Sequence, residues 1–135
     1  MTYEADADLA AYEEQLLAGI ISGMGSTLRR MNLLQVDLDL AISPDEAASR
    51  ARDVLGDCDL PPPPCGLDQV RVVGIIGSGW LSMNPTVVTV TISAAEQGPG
   101  SRVRVRGTAF EGLIKQRAGE QAARSIAAAM SRPAG

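Results

Sequence analysis

Arg102, Arg104 and Arg106 alternate along one short segment, so a strand would set all three guanidinium groups on a single face. Groups placed in this way can grip a carboxylate or phosphate through charge-assisted, often bidentate hydrogen bonds. Together with Trp80 they are the candidate ligand- or anion-binding residues. Asp37 and Asp39 alternate in the same manner on another segment. A cross-strand ladder between these aspartates and the arginines is the preferred reading, and it places the first strand beside the fourth.

The chain contains no histidine. Activation of Ser78 or a cysteine as a nucleophile would therefore fall to Lys115, a carboxylate or the terminal amine, and no spacing pairs them. Asp37 and Asp39 could share acid–base work, but two carboxylates on a strand face more often form a solvated, charge-paired surface. Cys58 and Cys65 flank Asp59-Leu60-Pro61-Pro62-Pro63-Pro64. A bridge between them would close a short loop around a stiff proline run, whereas a cytoplasmic location would keep both thiols reduced, which is the expectation. Two cysteines without histidine cannot supply the usual four zinc ligands. No catalytic residue, metal site or cofactor is expected, and the chain reads as a non-enzyme.

Gly74-Ile75-Ile76-Gly77-Ser78-Gly79 has the look of a phosphate loop, but the G-x-G-x-x-G spacing is missing and no P-loop lysine follows. Its glycines mark instead a bulge, or a place where a helix lies close to the backbone. The net charge of −4 and the single lysine argue against sequence-independent nucleic-acid binding, which draws its free energy from Lys and Arg on phosphates. No stretch reaches the ~18 apolar residues of a membrane span.

These side chains need elements to position them. Apolar residues at Leu9, Tyr12, Leu16, Ile20, Met24, Leu28 and Met31 recur every three to four positions, which predicts an amphipathic helix over 6–31, weakened at Gly19, Gly23 and Gly25 enough to admit a kink or break near Gly23–Gly25. Val36, Leu38, Leu40 and Ile42 alternate with polar residues, predicting a strand over 35–43. Ser43-Pro44-Asp45-Glu46 then offers an N-cap, a proline at the first helical position and a capping-box glutamate. That helix should bury Ala47, Ala51 and Val54 or Leu55 and stop at Gly56. Strands follow over 70–80, 86–93 and 102–108, and a last helix over 113–131 carries Leu113 or Ile114, Ala118, Ala122, Ile126 and Ala129 or Met130.

The fold class is therefore α+β: a four-stranded antiparallel sheet in βαβββα order, covered on one face by helices, with an extra N-terminal amphipathic helix. At 135 residues the chain is expected to be one folding unit, with residues 1–33 as the added helix and 34–132 as the sheet-and-helix domain.

Ile75-Ile76-Gly77, the Asn84–Ile92 and Gly100–Arg106 segments and the Ala-rich last helix together resemble a small bacterial domain family of unknown function. The element order from Gln35 to Met130 also resembles an abridged helix-grip, or START-like, fold. The helix-grip resemblance implies an apolar cavity between the sheet and the C-terminal helix, although four strands are fewer than that family wraps around its helix.

The expected function is a non-enzymatic interaction or scaffold domain. Leu9, Leu16, Ile20, Met24 and Leu28 are the candidate homodimer contact, because a long apolar stripe beside a complete two-layer core needs a partner of its own. Packing of that helix across its own sheet is the intramolecular alternative. The competing function is binding of a small apolar ligand between the sheet and the last helix, beside Ala118, Ala122 and Ala129.

Overall fold

A computed structural model describes residues 2–20, 30–56, 60, 62–78, 84–111 and 118–131. Their order is α1 (Thr2–Ile20), β1 (Arg30–Leu40), α2 (Pro44–Leu55), β2 (Gln69–Ser78), β3 (Asn84–Ala94), β4 (Ser101–Glu111) and α3 (Ala118–Ser131). The strands form one open antiparallel sheet in the order β1-β4-β3-β2. This is the expected α+β class with the expected element order.

Alternation decides what each face carries. Val72, Val88, Val90, Ile92, Val103 and Val105 point to one face, where they meet Ala47, Ala51 and Leu55 of α2 and Ala123, Ile126 and Met130 of α3. Most of these side chains are fully excluded from water. Small alanines let both helices sit close to the β-branched surface, and methylene-dense contact of this kind supplies most of the stabilisation.

The α2 helix starts and stops where its sequence says it should. Ser43 is extended, and its Oγ accepts from the Glu46 amide at 3.2 Å, with Pro44 at the first helical position. At the other end Gly56 adopts φ +82° and its amide bonds the Arg52 carbonyl, a conformation that costs a side-chain-bearing residue dearly. The C-terminus of α2 then lies directly on β2. A Cβ at Gly74 would stand 2.9 Å from Leu55 Cβ, so this glycine is the close approach of helix to strand that the glycine-rich segment suggested. Arg50 of α2 donates to the Met130 carbonyl at 2.9 Å, tying α2 to the last turn of α3.

One expectation about the elements is corrected. The first helix does not run to Met31, because Arg30–Leu34 belong to β1. The β4 strand runs on to Glu111 and offers residues 30–34 a complete ladder, Arg30 opposite Glu111 through Leu34 opposite Gly107. The sheet's other face carries the extra helix, the intramolecular packing that the sequence left open as the alternative. The extra helix α1 lies across it above β3 and β4, opposite α2 and α3.

Candidate functional site

The second sheet face divides into a covered half and an open half. In the covered half, Leu9 and Leu17 of α1 are buried, and between them Glu13 is fully buried as well. These residues are spaced i, i+4, i+8 and form one row down the helix. Glu13 Oε1 accepts from Arg106 Nε at 2.7 Å and from Thr108 Oγ1 at 3.0 Å, and Glu13 Oε2 accepts from Thr89 Oγ1 at 2.8 Å. Arg106 also donates to Gln35 Oε1 at 3.1 Å. A charge this deep is tolerable only when paired and hydrogen-bonded on several sides, and this one is. The half-buried Tyr12 sits one position away. Burial first, and the Glu13 charge second, raise its phenol above the ordinary value.

In the open half, Asp37 and Asp39 of β1 stand opposite Arg104 and Arg102 of β4, as the alternating charges implied. Arg104 Nε reaches Asp37 Oδ1 at 2.9 Å and Nη2 reaches Oδ2 at 3.4 Å, a two-point grip. That hydrogen bonding, reinforced by the Arg104 and Arg102 charges against some desolvation, holds the Asp37 carboxyl below its ordinary pKa. The second pair is looser. Arg102 Nε is 3.9 Å from Asp39, and its Nη1 turns to Glu96 at 3.2 Å.

The three arginines therefore do not form one solvent-facing stripe. Arg102 and Arg104 are exposed, whereas Arg106 lies under α1 with Glu13. Sequence reasoning missed Glu13, which it did not single out among the residues of the first helix. A helical wheel contains the signal: Glu13 falls midway along the Leu9–Leu17 row, and a carboxylate at the centre of an apolar row calls for a buried cation.

Of the candidate dimer residues, Leu9 is buried on its own sheet and Leu16 is half-buried. The Ile20 side chain, Met24, Leu28, Trp80, Cys58 and Lys115 lie outside the described residues, as does the side chain of Ala118. Cys65 is an exposed free thiol, with Sγ 3.1 Å from the Gln69 carbonyl oxygen. Beneath α3, where the apolar ligand was expected, Ala122, Ile126 and Met130 are packed into the core and Ala129 is half-buried. A shallow, open groove of ≈510 Å³ lies instead at the β3–β4 turn, bordered by Asp39, Glu96, Gln97 and Arg102.

The two outer strands of the sheet differ in how they are protected. At β2, Arg71 donates to the Pro64 carbonyl and Gln69 N bonds Gly66 O, so the Pro62–Gly66 segment is folded back on the strand's first residues. At β1, all eleven residues pair with β4, and among the described residues no strand pairs with the opposite side. Its inward row, Leu34, Val36, Leu38 and Leu40, is only half-buried, and its outward row, Leu33, Gln35, Asp37 and Asp39, is exposed.

Among the described residues no helix is long and apolar enough to cross a membrane, and no three His, Cys, Asp or Glu side chains gather as metal ligands would. No family model, curated protein or solved structure matches the chain.

Proposed function

We propose that this domain is a non-enzymatic interaction module that binds another polypeptide along the outer edge of β1, which no strand pairs among the described residues. The observation that carries the reading is an eleven-residue edge strand with a half-buried apolar row and neither proline nor glycine to blunt it. Edge strands of this length expose unpaired N–H and C=O groups that a further strand satisfies, giving affinity through the backbone and selectivity through alternate side chains.

Binding of a small apolar ligand, which the helix-grip resemblance implies, is the second reading. The dense packing of α3 on Val103 and Val105 weighs against it. Native mass spectrometry of full-length protein purified from its host, paired with hydrogen exchange, separates the two. The interaction reading expects an added polypeptide mass, or a doubled mass, with slowed exchange in residues 30–40. A small-molecule adduct with unchanged β1 exchange supports the ligand reading. A bare monomer whose β1 amides exchange as fast in host extract as in buffer overturns the interaction reading.

A further inference from the structure

We infer that the strand accepted by the β1 edge is an extended segment in which apolar residues alternate with arginine or lysine, laid antiparallel to β1. The inference rests on the interaction reading of that edge and adds the chemistry of its occupant.

A strand added on the outer side of β1 stands at the same spacing as β4, about 4.8 Å, and its side chains share the same two faces. It therefore meets two rows. On the inner face it meets Leu34, Val36, Leu38 and Leu40, whose remaining exposed surface calls for apolar neighbours. On the outer face it meets Leu33, Gln35, Asp37 and Asp39. The carboxylates there retain acceptor capacity, since each offers about four lone-pair sites. Asp37 uses two in its grip on Arg104, and Asp39 stands 3.9 Å from Arg102 with its side chain 87% exposed. The unmet demand is greatest at Asp39.

The structure itself contains one solution to this pattern. On the other side of β1, the β4 segment Ser101-Arg102-Val103-Arg104-Val105-Arg106 answers the aspartates with arginine and the apolar row with valine, in antiparallel register. A second copy of β1 answers it badly. Two-fold pairing centred anywhere from Asp37 to Asp39 sets carboxylate against carboxylate, and like charges directly opposed are destabilising. Pairing centred at Gln35 or Val36 leaves an aspartate facing Leu33. Within residues 30–40 no two-fold self-pairing sets a cation directly opposite either carboxylate, and each copy carries a net charge of −4. The same two aspartates that discourage self-association and neutral strands thus select a basic one.

The test uses full-length protein and a synthetic peptide copying residues 101–108, titrated by fluorescence anisotropy. Three further peptides complete the set: one with every arginine replaced by threonine, and two N-methylated at alternate backbone amides, on odd or on even positions. The expected result is saturable binding of the parent peptide and binding of only one of the two N-methylated forms, because alternate amides of an added strand point toward and away from β1. The threonine peptide, and the parent peptide on an Asp37→Asn/Asp39→Asn variant, should each bind about 2- to 30-fold more weakly. Equal binding of the arginine and threonine peptides overturns the basic partner while leaving the edge reading intact. A dimer at about 100 μM with protected β1 amides names a second copy as occupant and likewise overturns it. If no peptide binds, or both N-methylated forms bind alike, the edge reading falls as well.

Discussion

The two faces of this sheet are stabilised by different physics. On the α2/α3 face, valines, isoleucine and alanines from six elements share one continuous core, and no single contact dominates. On the α1 face, two leucines flank one carboxylate, and that carboxylate gathers Arg106, Thr89 and Thr108. Apolar packing is additive and forgiving of direction. A buried ion pair is neither: complete, it contributes little net stability, but once half of it is removed the remaining charge is stranded. The first face is thus built for bulk stability, the second for registration of one helix at one place.

The largest effect that would sharpen this contrast comes from Glu13→Ala. Leaving Arg106 buried without its partner costs about 3–5 kcal/mol, and α1 can escape the cost by lifting off and letting water reach the guanidinium. Hydrogen exchange should therefore accelerate in residues 2–20 and stay unchanged in α2 and α3. Ile92→Ala, which costs about 2–5 kcal/mol on the packed face, should instead accelerate exchange throughout. If both variants loosen every element alike, the two faces are a single cooperative unit and the comparison breaks.

A smaller effect is expected at Gly74. An alanine there meets Leu55 Cβ at 2.9 Å and the Leu55 carbonyl oxygen at 3.3 Å, atoms that can move only with the end of α2. A loss of about 1–3 kcal/mol in denaturant unfolding is the expected outcome, with α1 unaffected. A neutral Gly74→Ala would mean that the packed face has more slack than its burial implies.

The smallest effect belongs to the open half of the α1 face. The folded-state pKa of Asp37 is lowered, so its contribution is fully present above the ordinary carboxylate value and disappears as pH falls through the lower, folded value. Asp37→Asn should cost about 0.2–1 kcal/mol near neutral pH, as exposed pairs do. The gap between wild type and variant should narrow on acidification and with added salt. A gap that widens in acid would contradict the Arg104 grip as its cause.

Much of this architecture was legible because local chemistry and tertiary structure agree. Ser43-Pro44-Asp45-Glu46 and Gly56 bound α2 in the sequence and in space, and the opposed charges of Asp37 and Arg104 correctly placed β1 beside β4. The first helix was carried on to Met31 because the period of three to four at Met24, Leu28 and Met31 continues past the glycines, whereas residues 30–34 are decided by a ladder partner more than seventy positions away. The burial of Arg106 was equally invisible along β4, where nothing distinguishes it from Arg102 and Arg104. Only the helix lying above it does so. The β1 edge is legible only once strand order is known, since alternation alone does not say which strand lies outermost.

The order β1-β4-β3-β2 also has a temporal meaning. The β2, β3 and β4 strands neighbour one another in sequence and can zip across short separations, but β1 must wait for β4, whose first residue lies 61 positions beyond Leu40. At a synthesis rate of about 5–20 residues per second, β1 spends roughly 3–12 s outside any sheet, with both of its edges unpaired. During that interval Asp37 and Asp39 are the acidic charges within the strand, with Arg30 at its start, that oppose its coalescence with other nascent chains. They act as gatekeepers before the domain exists, and they keep the same two positions after it has formed.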